Sequence, residues 1–128
     1  MRVVWTEHAY AQLDEAVAFI ARDHLETAKT WLELILAAGD SLAEFPDRGR
    51  VVPEASRDDV RQLILSPYRL IYRRDPNAVT ITMLLHEHRK LSGKDVRMTS
   101  RPTDDLDIAA DELGDRLELE VKVRAKAG

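Results

Sequence analysis

The sequence predicts an α+β fold: an N-terminal strand and an antiparallel helical hairpin packed on a mainly antiparallel β-sheet (β-α-α-β-β-β), plus a C-terminal helix–strand extension. Apolar residues recur at every third or fourth position through residues 7–45, and at every second position between 60 and 86. Helices and strands thus occupy separate stretches, which is typical of α+β proteins. The 128 residues suffice for one domain and an appendage. We expect a domain over 1–91, and a linker and extension of uncertain role over 92–128.

The first half of the chain predicts a short strand and two helices. Residues 3–5 are β-branched or aromatic and predict the strand. Thr6 is a suitable N-cap for a helix over 7–22. A longer apolar stripe predicts a second helix over about 26–45, which Pro46 ends. The short break between the helices predicts an antiparallel hairpin.

The second half predicts a three-stranded meander. After a charged loop over residues 46–59, strands are expected over 60–65, 68–73 and 78–86, separated by proline-containing turns. In the third strand, every second residue is apolar, which predicts one fully apolar face against the helices. The residues of that face are Val79, Ile81, Met83 and Leu85.

The remaining residues predict a polar linker over 90–102, then a helix capped by Thr103 that ends at Gly114, and an alternating strand over 117–124. A helix and a strand cannot form a core alone. Three interpretations stay open for this extension: an added edge strand, a dimerisation arm, or a disordered tail. The alternation favours a docked strand.

Composition excludes several classes of function. Cysteine is absent, so disulfides, thiol catalysis and thiolate metal sites are excluded. No apolar run approaches the roughly 20 residues of a membrane helix, and no signal segment follows Met1, so we expect a cytoplasmic protein. The chain has no glycine-rich phosphate loop, and its histidine pair supplies too few ligands for zinc. We expect no metal and no cofactor.

Charge is distributed unevenly along the chain. Residues 1–47 carry three basic and nine acidic side chains, whereas residues 48–90 carry nine basic and five acidic ones. The basic segment indicates an acidic or nucleic-acid partner. An equally good interpretation is that its arginines pair with the acidic helices.

Two basic groups could carry chemistry. Arg69 and Arg73 leave the same face of one predicted strand, and His86 and His88, followed by Arg89, lie at the end of the next. Neighbouring strands would present guanidinium and imidazole groups on one rim, suited to binding phosphate or carboxylate and to accepting a ribose proton. The alternative is a solvated face with arginines stacked on tyrosines.

Five segments in order resemble the ParE/RelE toxin superfamily of type II toxin–antitoxin modules. They are VWT at 4–6, LAEFP at 42–46, GRVVPE at 49–54, PYRLIYR at 67–73 and LHEHRKL at 85–91. Together they span residues 1 to about 91. The helix-end motif and the histidine-containing last strand look most like the ParE branch.

The resemblance implies a plasmid-stabilisation toxin that poisons DNA gyrase. Its partner would be a ParD-like antitoxin with a ribbon-helix-helix start and an acidic, amphipathic C-terminal segment. RelE-like relatives instead cut messenger RNA on the ribosome, and this remains the alternative. Those nucleases carry lysines on the strand before the tyrosine–arginine motif, where this chain has Val60 and Gln62. Uncharged residues there cannot neutralise charge at a cleaved phosphate.

The resemblance also suggests roles for individual residues. If the chain is a nuclease, the catalytic candidates are Arg69, His88 and Glu54. Candidates for pairing with antitoxin acids are Arg61, Arg69 and Arg73. Candidates for contact with the target are His86, His88, Arg89 and Lys90. An extension packed over the arginine face would compete with antitoxin.

Overall fold

The computed structural model describes residues 1–100, 107–113 and 115–117. Its strands are β1 Arg2–Trp5, β2 Arg50–Val51, β3 Val60–Leu65, β4 Tyr68–Arg74, β5 Ala78–His86 and β6 Ile108–Ala109. Its helices are α1 Glu7–Ala21, α2 Leu25–Asp40 and α3 Gly93–Thr99, with short 3-10 turns at Ser41–Ala43 and Pro53–Ala55. Residues 110–113 and 115–117 are also helical.

The strands form one sheet in the order β2-β3-β4-β5-β1-β6. The β3-β4-β5 meander is antiparallel, β1 lies parallel to β5, and β6 lies antiparallel to β1. Helices α1 and α2 form a hairpin that packs on one face of this sheet. The predicted α+β fold is therefore confirmed.

The hairpin and the sheet share the main core. Thr6 caps α1 as predicted, because its Oγ1 accepts a hydrogen bond from the Ala9 N–H at 3.0 Å. The largest fully buried core side chains include Trp5, Leu13, Ile35 and Ile81. Gly39 permits close packing there, since a Cβ at this position would lie 3.2 Å from Ile81 and 3.3 Å from Trp5.

Helix α2 is shorter than predicted. It ends at Asp40 instead of about residue 45, and a 3-10 turn follows. The Ser41 hydroxyl donates to the Ala38 carbonyl at 2.6 Å, a local bond that competes with continued helix. Phe45, the last member of the predicted stripe, is 60% exposed as a result.

A β-bulge in β5 changes which residues share a face. Ile71 lies opposite Met83, but Tyr72 lies opposite Ile81, so Thr82 is the extra residue. Ile81 faces the hairpin core, whereas Met83 belongs to a second core on the other face. The prediction of one apolar face made of Val79, Ile81, Met83 and Leu85 is therefore wrong, because alternation does not continue through a bulge.

The second face of the sheet is also covered. Its core comprises Val52, Ala55, Val60, Ile71, Met83, Leu85 and Leu91, with Val96 and Met98 packed against it. The last two belong to α3, which lies within the stretch predicted as a linker. The linker prediction is wrong because Ser92 and Asp95 form a reciprocal capping box that starts a helix.

The extension docks on the domain through its described residues. Ile108 and Ala109 pair with Trp5 and Val4, so β6 lies where the sequence predicts helix. The free edge of β1 offers unpaired backbone groups, and strand pairing there overrides the helical periodicity. Leu113 and Leu117 are fully buried in the main core. Leu117 is helical rather than part of a strand, and residues 118–124 of the predicted strand lie outside the described residues, as do Thr103 and Gly114.

Candidate functional site

Strand β4 carries two arginines on the face of the sheet away from the hairpin. Arg69 and Arg73 are only 5% and 4% exposed, although both side chains are charged. They share a face as the alternation predicts. Because each guanidinium is buried, each must find its acceptors inside the protein.

Arg69 joins three parts of the chain in what we term the Arg69 cluster (Glu54, Gln62 and Arg69). Its Nη2 donates to Glu54 Oε2 at 2.8 Å and to the Arg89 carbonyl oxygen at 2.5 Å, and its Nη1 donates to Gln62 Oε1 at 3.0 Å. Glu54 Oε2 also accepts the Leu91 N–H at 3.0 Å. The cluster therefore ties the chain after β5 to β3, to β4 and to the 3-10 turn at Pro53–Ala55.

The loop before β3 positions Glu54. The Tyr72 hydroxyl accepts the Gly49 N–H at 2.9 Å and donates to the Pro46 carbonyl at 2.8 Å. A Cβ at Gly49 would lie 2.6 Å from the Gln62 carbonyl oxygen, so only glycine allows this approach. The Val52 N–H then donates to the Val60 carbonyl and directs the following turn over the second face.

Glu54 is held as a carboxylate. The hydrogen bond from Arg69 lowers the pKa of Glu54 to about 2, against the opposing effect of burial, with further help from the Leu91 N–H. A carboxylate with this pKa is a very weak base near neutral pH.

Arg73 forms a second group, the Arg73 cluster (Arg73, Asp75 and the Thr99 carbonyl). Its Nε donates to Asp75 Oδ1 at 2.8 Å and its Nη1 donates to the Thr99 carbonyl oxygen at 2.8 Å. Thr99 is the last residue of α3, and its hydroxyl lies 3.2 Å from that of Thr82. This cluster therefore anchors the extension on the second face.

The histidines lie on the opposite side of the sheet from Arg69. His86 on β5 is paired with Tyr68 on β4. Tyr68 precedes Arg69 in the sequence, so its side chain and that of His86 face the hairpin, on the side opposite to Arg69. Four rings form a row: Trp31 and Tyr68 have centroids 5.1 Å apart, Tyr68 and His86 6.1 Å, and His86 and His88 5.3 Å. The predicted rim of adjacent guanidinium and imidazole groups is not formed, because strand alternation directs Arg69 and His86 to opposite faces.

Residues 86–91, which we term the terminal segment, present the exposed groups of this region. His86, His88, Arg89 and Lys90 are exposed, whereas Leu91 is buried in the second core. An open groove of about 660 Å³ adjoins the segment between α1 and the end of β5. Phe19, Tyr68, His86 and Arg89 contribute to its lining.

The candidate residues thus divide between surface and interior. Of the residues suggested for antitoxin, Arg61 is partly exposed and donates to the Gly49 carbonyl at 2.8 Å, whereas Arg69 and Arg73 are internal. Of the nuclease candidates, Glu54 and Arg69 are in contact, but the His88 side chain is 83% exposed. Each residue suggested for target contact reaches the surface.

Sequence reasoning missed two features of the region. Gln62 was noted only as a replaced lysine, although it is a partner of Arg69. Trp31 belongs to the apolar stripe of α2, and hydrophobic periodicity alone does not predict its contact with the ring row. In the described ranges, no three histidine, aspartate or glutamate side chains come together to hold a metal ion, and no described helix is long and apolar enough to cross a membrane.

Comparison with known proteins identifies the family. Residues 3–91 match the family described as ParE toxin of type II toxin–antitoxin system, parDE. This chain belongs to that family. It is 34% identical over 93 residues to putative toxin Y4kP of Sinorhizobium fredii, covering 70% of this chain and 91% of the relative. It is 32% identical over 88 residues to toxin RelE2 of Caulobacter vibrioides, covering 69% and 97%.

A solved structure agrees with the fold. A chain of the chromosomal ParDE toxin–antitoxin system from P. aeruginosa superposes with a TM-score of 0.58 at 22% identity, covering 67% of this chain and 95% of that one. The protein is thus the toxin component of a type II toxin–antitoxin module, and a cognate antitoxin is its implied partner.

Proposed function

We propose that this toxin inhibits DNA gyrase by binding it through the terminal segment, and that an antitoxin neutralises it. The observation that carries the proposal is the enclosure of Arg69, whose Nη1 and Nη2 atoms donate to Glu54, Gln62 and a backbone carbonyl. Residues 1–91 would carry this activity. Gyrase acts on DNA inside the cell, so the site of action would be the cytoplasm.

The alternative, RNA cleavage, needs an accessible cation at the phosphate and an effective proton acceptor, and Arg69 and Glu54 do not supply them. A nuclease must neutralise the scissile phosphate and move protons at accessible atoms. Arg69 is 5% exposed, and Glu54, with a pKa of about 2, is a poor proton acceptor. Val60 is fully buried and Gln62 is engaged by Arg69, at the two positions where RelE-type nucleases carry lysines.

The terminal segment adjoins side chains that are typical of protein-binding surfaces. Arginine, tryptophan and tyrosine carry much of the binding energy at protein interfaces. His88 lies at the end of the ring row, and Arg89 lines the groove along α1. The positive charge of Arg89 and the planar groups of both side chains suit an acidic surface on a protein partner.

The antitoxin would contact a separate surface. An acidic, amphipathic antitoxin segment would bury apolar side chains along the hairpin and sheet and pair its carboxylates with exposed arginines. Arg61 is partly exposed and its ion pair with Asp47 is long, at 3.8 Å, whereas Arg69 and Arg73 would have to leave close internal partners at 2.8 Å. We therefore assign Arg61 to antitoxin binding and expect Arg61→Glu to weaken it.

The two candidate functions predict opposite results in paired assays. We expect the purified toxin to accumulate gyrase–DNA cleavage complexes and to leave messenger RNA intact on translating ribosomes. His88→Glu/Arg89→Glu should abolish the first effect and still bind antitoxin. The matched control is Lys94→Glu/Arg97→Glu, a charge reversal on exposed residues of α3, which should remain toxic.

Cleavage in the ribosomal A site that disappears with Arg69→Ala would overturn the gyrase proposal. Full gyrase inhibition by the His88→Glu/Arg89→Glu variant would overturn the assignment to the terminal segment.

A further inference from the structure

We infer that Glu54 and Arg69 are positioning residues for target binding: they fix the backbone at Arg89 and Leu91 so that the exposed groups of the terminal segment have one geometry. This inference rests on the proposed function. It gives the arginine of the tyrosine–arginine motif an internal role in place of contact with a substrate.

The hydrogen bonds of the Arg69 cluster reach the backbone on both sides of Lys90. Arg69 holds the carbonyl of Arg89 at 2.5 Å, and Glu54 holds the N–H of Leu91 at 3.0 Å. Beyond these, the Ser92 N–H donates to Asp95 at 2.9 Å, so the chain is fixed again at the start of α3. The segment is therefore fixed immediately after its exposed side chains.

The first half of the segment is fixed separately. The Glu87 N–H donates to the Pro67 carbonyl at 2.8 Å, and the Ser66 hydroxyl donates to Glu87 Oε2 at 2.9 Å. Both bonds tie the segment to the turn between β3 and β4. His88, Arg89 and Lys90 thus project from a short stretch of backbone that is held at each end.

Stability alone does not explain the Arg69 cluster. Burying the Arg69 guanidinium costs solvation of its charge, and apolar residues of similar volume are often as stable or more so. Arg69 Nε is buried and has no hydrogen-bond partner within the described residues. A group that gives little net stability, yet organises the backbone next to exposed side chains, is suited to preorganising a binding surface.

The Arg73 cluster provides an internal control. It has the same chemistry on the same strand face, with a carboxylate at 2.8 Å and a backbone carbonyl at 2.8 Å. Its carbonyl belongs to Thr99 of the extension, not to the terminal segment. If positioning is the role of Arg69, equivalent changes at the two clusters should affect target binding differently.

The test compares two apolar replacements, Glu54→Leu/Arg69→Met and Asp75→Leu/Arg73→Met. Each removes a whole ion pair and so leaves no carboxylate or guanidinium unpaired. We expect the first to raise amide hydrogen exchange in residues 88–91 and to weaken gyrase inhibition by roughly 10- to 100-fold, because a segment that must be ordered on binding loses affinity. The second should change exchange in α3 and leave inhibition within about twofold.

Two conservative variants separate positioning from a structural role. Glu54→Gln keeps an oxygen that can accept the Leu91 N–H, so this variant should retain most of the gyrase inhibition. Arg69→Lys keeps the charge, but its single ammonium cannot span Glu54, Gln62 and the Arg89 carbonyl, so inhibition should fall while antitoxin affinity is unchanged. If Glu54→Leu/Arg69→Met fails to fold, Arg69→Lys tests the positioning role in its place, with Arg73→Lys as the control.

The outcomes distinguish the two proposals. Raised exchange at residues 88–91 with unchanged gyrase inhibition overturns the positioning role, and so does unchanged exchange. Equal losses of inhibition from the Arg69 and Arg73 variants also overturn it. If His88→Glu/Arg89→Glu retains inhibition, the proposed function itself fails, independently of these results.

Discussion

Arg69 and Arg73 differ in what they hold rather than in how they are held. They lie on one face of β4, are about equally buried, and each contacts a carboxylate at 2.8 Å. Arg69 fixes the end of the family-matched region, whereas Arg73 fixes the extension. Burial and ion pairing alone therefore do not indicate the role of an arginine. The role depends on the segment whose backbone accepts the remaining hydrogen bonds.

The extension sharpens this contrast. The family match ends at residue 91, so the extension lies beyond the matched residues. In this protein it covers the second face with α3 and the edge of β1 with β6. Arg73, which lies within the family match, is thus bound by a segment that lies outside it.

The largest loss of stability is expected when one partner is removed from each cluster. Glu54→Ala and Asp75→Ala each leave a buried guanidinium without its carboxylate, which costs about 3–5 kcal/mol. Chemical denaturation should give similar losses for the two variants. If one variant loses several-fold less stability than the other, the two clusters are not energetically equivalent.

A somewhat smaller effect is expected from the anchor of the extension. Leu113→Ala removes a fully buried side chain from the main core and should cost about 2–4 kcal/mol. Exchange should rise at β6, while gyrase inhibition per folded molecule stays unchanged. Reduced inhibition at equal folded fraction would mean that the extension contributes to the target surface.

Glu54 should make stability depend on pH by about 2 kcal/mol, because solvent screening of this partly exposed carboxylate reduces the roughly 3 kcal/mol that its pKa shift alone would give. The pKa of Glu54 is lowered from 4.5 to about 2 on folding, so its contribution is complete above pH 4.5 and is lost as the pH falls towards 2. Denaturation at a series of pH values should give a flatter curve in that interval for Glu54→Gln than for the unmodified protein. Parallel curves would exclude a lowered pKa for Glu54.

The smallest expected effect concerns the helix caps. Ser92→Ala removes the capping box of α3, and Thr6→Ala removes the cap of α1; each should cost about 1 kcal/mol. Thermal unfolding should detect both losses. Only Ser92→Ala should loosen the chain next to the terminal segment, so hydrogen exchange at residues 88–91 should rise in that variant alone.

Local patterns predicted most of the domain. The helical hairpin, the three strands of the meander and the Thr6 cap follow from spacing and capping chemistry. The predictions of the end of α2 and of the face of Met83 were wrong. A hydrogen bond from the Ser41 hydroxyl and a β-bulge are local departures that hydrophobic periodicity does not reveal. Part of the site was also predictable: β4 alternation put Arg69 and Arg73 on one face, and the terminal segment was singled out for its basic residues.

The sequence by itself determined the order of elements from β1 through the hairpin to the meander, the family and the residues that carry charge, because these depend on neighbours along the chain. The tertiary structure alone decided that Arg69 is enclosed by Glu54 and Gln62, that the histidines lie on the opposite face, and that the extension supplies a strand and a helix cover. Those outcomes depend on contacts between residues far apart in sequence. The free energy of burying each group is fixed only when such contacts form.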